Sequence, residues 1–215
     1  MTKASVDRRH LLLVVLGYVA GLLLLSRSTA VAIPLVPWGL VGGMMTALLL
    51  PTAAAVNYMV FRRVGQVAPG GEPDQASGDA VCEIGFRISA FEIVLHCLIL
   101  LTLAGAFGDG SIVPARLVVV FFGVLLIGIG DLLPRTRPNL AIGIRTPVML
   151  ADRHAWTQMH RVAGYAAVAL GSVIVMAGIF LGHPEIARVI NAAAIVTVSV
   201  LAWSYRRFTR LRARR

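Results

Sequence analysis

Six apolar segments, each long enough to cross a lipid bilayer, constrain the fold of this chain more than any other feature of its sequence. They cover about residues 10–28, 37–61, 85–107, 112–130, 162–182 and 187–205. A helix that crosses ~30 Å of hydrocarbon needs about 20 mostly apolar residues. The chain is 58% apolar and only 14% charged, whereas soluble domains have about 45–50% apolar and about 25% charged residues. The sequence therefore predicts an all-α, polytopic membrane bundle of six transmembrane helices and excludes an ordinary soluble fold.

The basic residues are divided unevenly between the two sides of this predicted bundle. Six spans place both termini on one side, together with 17 of the 20 Lys and Arg residues, and leave Arg27, Arg116 and Arg188 on the other. Because Lys and Arg accumulate on the cytoplasmic side, we expect cytoplasmic N- and C-termini. The first apolar segment is interpreted as a retained helix and not as a cleaved signal peptide. The net charge of +10 is then explained by topology, so we expect contact with the lipid bilayer and no direct binding of nucleic acid.

Composition divides the chain into four parts. They are an N-terminal two-span segment (1–63), a flexible cytoplasmic linker rich in Gly, Pro, Asp and Ser (64–84), a four-span region (85–205) with a cytoplasmic loop at 131–161, and a basic cytoplasmic tail (206–215). The tail either lies on the anionic inner leaflet or docks an acidic partner.

Two ionisable residues occupy the third span. Glu92 and His96 are four residues apart, so they share a helix face and can form a hydrogen bond. Charged or ionisable groups at this depth are costly and usually face a bundle interior or a cavity. The pair is either a proton-linked or ligand site, or a polar contact that fixes helix packing.

Small residues recur at helix-packing intervals in two spans. Gly17 and Gly21 form a GxxxG pair, and Gly164, Gly171 and Gly178 repeat every seven residues. Glycine lets two helix backbones approach closely in lipid. The alternatives are packing within one bundle or a dimer interface.

Signatures of enzymes and cofactor sites are sparse. The sequence contains no GxSxG, HExxH or P-loop pattern. Cys82 and Cys97 have no metal-ligand spacing, and only one histidine lies deep in a span, where haem would need paired axial ligands. We therefore expect no enzymatic activity, no cofactor and no metal site.

The loop before the fifth span carries the most specific pattern. Three prolines interrupt helix formation before residue 148, and Gly143 indicates a backbone turn that a side chain would block. Thr146 is predicted to cap a helix that starts at Pro147. In that helix Trp156 and His160 are four residues apart and share a face with neighbouring arginines. The pattern fits either an interfacial helix leading into the span or a cytoplasmic recognition surface.

This loop resembles the SdpI family, bacterial immunity proteins against a secreted, membrane-active toxin peptide. Asp131 and Val148 depart from the family pattern. The residues that carry the resemblance are Gly130, Pro134, Arg135, Thr136, Arg137, Pro138, Asn139, Gly143, Ile144, Arg145, Thr146, Pro147, Trp156, His160, Arg161 and Gly164.

The resemblance implies a multi-pass protein of the bacterial inner (cytoplasmic) membrane that gives immunity to a peptide toxin. It also implies signalling through capture of a cytoplasmic repressor protein, with the residues above as the recognition loop. Two alternatives stay open at this point. They are a small proton-linked transporter or permease that uses Glu92 and His96, and a membrane scaffold without a small-molecule ligand.

Overall fold

The protein, described here by a computed structural model, is helical throughout its regular structure. The structure describes residues 3–30, 39–64 and 75–212. Its elements are α1 (Lys3–Ala30), α2 (Gly39–Val64), α3 (Gln75–Leu103), α4 (Val113–Leu132), a 3₁₀ turn (Leu133–Arg135), α5 (Pro147–Ala151), α6 (Arg153–Phe180) and α7 (His183–Arg212). Six of these helices, all except α5, are long and apolar enough to cross a membrane. The predicted all-α, six-span fold is confirmed, and the cytoplasmic placement of the termini stays a prediction.

The predicted linker at 64–84 is shorter than its composition suggests. Helix α3 begins at Gln75, so the second half of this segment is helical, while residues 65–74 lie outside the described residues. The first turns of α3 contain Val81 and Ile84, which are completely buried. Burial of these side chains stabilises a helix in a stretch where glycine and aspartate alone favour a loop.

Helix contacts divide the molecule into two groups that share one helix. Helices α1, α2 and α3 all pack against one another, whereas α4 packs on α6, and α6 on α7. Helix α3 also packs on α4 and on the 3₁₀ turn. Within the described residues, neither α1 nor α2 contacts any element from α4 onward. Helix α3 is thus the link between the two groups.

Glycines line the contact between α4 and α6. A Cβ on Gly130 would lie 2.6 Å from the Gly164 carbonyl oxygen, and a Cβ on Gly164 would lie 2.6 Å from that of Gly130. Gly123 and Gly171 have the same reciprocal relationship, at 2.7 and 2.5 Å, and Gly178 packs on α4 side chains. The seven-residue repeat of α6 therefore serves packing within the chain. Of its two partner glycines on α4, also seven residues apart, Gly130 was named from the sequence only for the family resemblance, and Gly123 was not named.

The glycine pair of α1 is likewise occupied within the chain. Gly17 packs on side chains of Ile93 and Pro51, and Gly21 on the Ala47 carbonyl. Proline has no N–H, so Pro51 cannot donate the usual helical hydrogen bond to Ala47. The close approach of α1 covers this carbonyl, which places both glycines in the bundle and not at a dimer interface.

Candidate functional site

The loop between α4 and α6 is folded around a buried tryptophan. The side chain of Trp156 is completely buried, and its Nε1–H donates to the carbonyl oxygen of Thr136 at 3.0 Å and to its Oγ1 at 3.2 Å. The indole packs among Met149, Ala155 and Met159. It therefore joins the start of the loop to the first turn of α6.

His160 holds the far end of the same loop. Its ring stacks on Trp156, with centroids 3.8 Å apart and planes 13° apart. The backbone N–H of Ile144 donates to Nε2 at 3.1 Å, and Nδ1 lies 2.8 Å from the Trp156 carbonyl oxygen. Because an amide N–H only donates and a carbonyl only accepts, Nε2 is bare and Nδ1 carries the hydrogen. The neutral form of His160 thus satisfies both partners, and protonation of Nε2 would remove the acceptor of Ile144.

Gly143 confirms the predicted turn. Its φ of +109° lies in the region that side chains disfavour, and a Cβ there would lie 2.1 Å from Nε2 of His160. The glycine is required both for the backbone conformation and for the space that the imidazole fills.

Asn139 closes the turn before Gly143. Its buried side chain accepts from the N–H groups of Ala141 and Ile142, both at 2.9 Å, and its Nδ2 donates to the Arg137 carbonyl at 2.8 Å. Such local bonds replace those of a helix. Pro138 lies partly buried between these residues.

Contacts with two spans anchor the loop to the bundle. The N–H of Arg137 donates to Oγ of Ser77 at 2.9 Å, which attaches the loop to the start of α3. Pro134 lies against the glycine seam, defined here as the contact between α4 and α6 that contains Gly123, Gly130, Gly164, Gly171 and Gly178. A Cβ on Gly164 would come within 3.0 Å of the Pro134 ring.

The predicted single helix from Pro147 through His160 is wrong, because Asp152 divides it into α5 and α6. The Asp152 carboxylate accepts from the N–H groups of His154 at 2.8 Å and Ala155 at 3.2 Å, which is the geometry of a helix N-cap. Thr146 precedes α5 as expected, with Pro147 in its first turn, but its side chain makes no capping bond. An aspartate at the start of an apolar helix is a capping signal that the sequence interpretation missed.

The predicted joint surface of arginine, tryptophan and histidine needs correction. Trp156 and His160 are completely buried, because each must satisfy loop backbone groups that water does not reach. Arg145, Arg153 and Arg161 are exposed. The aromatic residues form the frame of the loop, and the arginines form its accessible part.

Two of the loop's arginines have partners within the structure. Arg145 donates through Nη1 to the Leu140 carbonyl at 2.6 Å. Arg135 forms an ion pair with Asp131 at 3.1 Å, with both side chains more than half exposed. Exposed pairs of this kind contribute only ~0–1 kcal/mol, so Arg135 can exchange its partner at little cost.

The intramembrane pair has a different partner from the predicted one. Oε1 of Glu92 accepts from Nδ2 of Asn57 at 2.5 Å, and no hydrogen bond joins Glu92 to His96. His96 is completely buried, and neither of its ring nitrogens has a hydrogen-bond partner among the described residues. His96 therefore faces protein, as predicted. Asn57, a lone amide in an apolar span, was overlooked.

A second set of polar side chains lies on the same three helices, toward the N-terminal end of α1. Tyr58 donates to Asp7 at 2.7 Å and stacks on His10 at 3.9 Å. Nε2 of His10 lies 3.2 Å from the Ala54 carbonyl, which also accepts from Ser89 at 2.9 Å. These groups and the Glu92 region form a polar column, defined here as Asp7, Tyr58, His10, Ser89, Asn57, Glu92 and His96.

One comparison with known proteins gives a match. Residues 135–204 match the SdpI/YfhL protein family. The matched segment contains the end of the 3₁₀ turn, the folded loop, α5, α6 and most of α7, and it lies entirely in the second group of helices. No curated protein and no solved structure matches the chain.

Proposed function

Because residues 135–204 match the SdpI/YfhL protein family, we propose that the chain protects the cell against a membrane-active peptide toxin. We further propose that the folded loop is its cytoplasmic recognition surface and captures a repressor protein there. The bacterial inner membrane is its proposed location.

A recognition role is supported by the contrast between the buried aromatic residues that hold the loop and the exposed arginines that it presents. Trp156 and His160 are buried and hydrogen-bonded to loop backbone, while Arg145 is exposed on the segment that they hold and Arg161 is exposed beside His160 on α6. A connector that only sets topology needs positive charge but no fixed geometry. A surface held in one conformation loses less entropy on binding.

The chemistry of the exposed groups indicates the class of partner. Arginine presents a planar fork that binds a carboxylate through two hydrogen bonds, which lysine cannot reproduce. An acidic surface on a cytoplasmic protein is therefore the proposed target. Arg145 keeps its second terminal nitrogen for such a contact, since only Nη1 is used by Leu140.

Deletion of the gene tests the protective role. A deletion strain should be killed by lower concentrations of membrane-active peptides from related bacteria than its parent, and the gene in trans should restore survival. Equal sensitivity of both strains to every such peptide would reject immunity.

A conservative substitution tests the loop. Arg145→Lys should reduce protection or induction of the gene's own promoter at unchanged membrane abundance, whereas Arg188→Lys, on an exposed arginine near the start of α7, should change neither. Full activity of both variants would leave the loop as a charged connector.

The polar column favours a second candidate function, a small proton-linked transporter. Ionisable residues within spans commonly serve ion or substrate paths, and Oε2 of Glu92 is buried without a partner among the described residues. A pH-dependent flux in proteoliposomes that is lost with Glu92→Gln, and kept with Ser172→Ala on α6, would support this function. Absence of flux in the wild type would reject it.

A further inference from the structure

A groove of about 300 Å³ lies between α3 and α4. Its walls are apolar and come from both helices, with Phe91 and Val94 on α3 facing Phe121 and Val124 on α4. The latter two side chains are 39% and 51% exposed, so the groove opens on the surface that faces lipid in a membrane. It lies where the two groups of helices meet, outside the segment that matches the family.

One end of this groove carries the guanidinium group of Arg87, which is paired with Glu83. Arg87 and Gly128 line it there, and Nη1 of Arg87 donates to the Gly128 carbonyl. Nε of Arg87 lies 3.4 Å from a carboxylate oxygen of Glu83. Nη2 makes no hydrogen bond to the described residues, and the side chain is 31% exposed. The guanidinium thus keeps one donor edge for a group at the groove's end.

Arg87 lies toward the predicted cytoplasmic end of the two helices that form the groove. Gly128 precedes the last residue of α4, Leu132, by four positions, which is about 6 Å along a helix. In the predicted orientation this end of α4 is cytoplasmic, and the cytoplasmic leaflet is rich in anionic lipids.

We propose that the groove binds one acyl chain of an anionic phospholipid of this leaflet, with the phosphate against Arg87. The apolar walls match a hydrocarbon chain in chemistry, and the open donor edge of Arg87 at one end matches the phosphate of the headgroup. Basic pockets between helices on the cytoplasmic side bind such headgroups in other membrane proteins. The lipid would contact α3 and α4 together and so stabilise their junction.

The same walls disfavour an extended peptide as occupant. An extended peptide carries an N–H and a carbonyl at each residue, and each such group left unsatisfied in hydrocarbon costs several kcal/mol. The groove offers no polar side chain except Arg87. An acyl chain has no such requirement.

Native mass spectrometry of the full-length protein, released from nanodiscs of equal parts phosphatidylglycerol and phosphatidylcholine, tests this proposal. The wild type should retain one phospholipid, with about fivefold preference for phosphatidylglycerol, the effect of one basic residue near the headgroups. Ala90→Phe fills the groove and should abolish retention. Ala192→Phe, at an exposed position of α7, is the matched control and should behave as the wild type.

A second variant separates headgroup from chain. Arg87→Gln should keep the retained lipid and lose the preference, while Arg87→Lys should keep both. Equal retention of the two lipids by the wild type would overturn the anionic assignment. A lipid still retained by Ala90→Phe, or none retained by the wild type, would overturn the site itself.

Discussion

Gly130 on α4 and Gly164 on α6 exclude each other's side chains, since a Cβ on either would lie 2.6 Å from the carbonyl oxygen of the other. Helix association in lipid depends on such close packing, because burial of apolar surface provides little driving force there. The seam holds together the two helices on which the loop stands.

The seam predicts a difference between two glycines of α6. A Cβ on Gly171 would meet the Gly123 carbonyl oxygen at 2.5 Å, whereas one on Gly178 would meet a side-chain methyl of Val120 at 2.9 Å. Backbone cannot move aside as a side chain can, so Gly171→Ala should destabilise by ~1–3 kcal/mol and Gly178→Ala by less. Thermal unfolding in detergent measures both, and equal stability of the two variants would contradict the seam.

Gly143→Ala should destabilise the loop more than backbone strain alone explains. Gly143 has a positive φ and lies against His160, while Gly108 has a φ of +75° with nothing within 4 Å of a Cβ added there. Each substitution should cost ~1–3 kcal/mol from the backbone, and only Gly143→Ala should add the cost of displacing the imidazole. A lower melting temperature for Gly143→Ala than for Gly108→Ala is the expected result, and the reverse order would refute the contact.

Loss of the His160 hydrogen bonds should open the loop. His160→Phe keeps a ring beside Trp156 but removes the acceptor of the Ile144 N–H, and an unsatisfied buried group costs ~1–3 kcal/mol. Trypsin should then cleave after Arg145 faster in membrane vesicles that expose this face. His154→Phe, at an exposed position, is the control, and equal cleavage of both variants would show that the bond does not hold the loop.

Asn57 and Glu92 should be energetically coupled. Asn57→Leu leaves the Glu92 carboxyl group without its donor, and Glu92→Leu leaves the Asn57 amide without its acceptor. The double variant should therefore lose less stability than the sum of the losses of the two single variants. The coupling is measured from unfolding of the two single variants and the double variant. Strict additivity would contradict the 2.5 Å hydrogen bond.

The orientation is tested by reporter fusions after Arg63 and after Arg145. Both should report the cytoplasm, because the sides differ by 17 to 3 in basic residues. Activity of a periplasmic reporter at either position would contradict the predicted orientation.

The spans, the Gly143 turn and the start of α5 follow from local properties of the sequence, namely apolar length, proline position and backbone freedom. The partners of Trp156, His160 and Glu92 do not, because they depend on residues 16 to 35 positions away. Aromatic and ionisable residues near a membrane surface suit the membrane interface as well as the protein interior. The sequence alone therefore favoured a surface position for Trp156 and His160. Only packing against the loop backbone distinguishes the two locations.

The arrangement of helices leaves one mechanical route through the molecule. Among the described residues, α1 and α2 reach the second group only through α3, and the first turn of α3 holds the loop through Ser77 and Arg137. A displacement of the N-terminal helices therefore reaches the loop through a rotation or translation of α3. The rigidity and position of α3 thus determine how strongly the conformation of α1 and α2 is coupled to that of the loop.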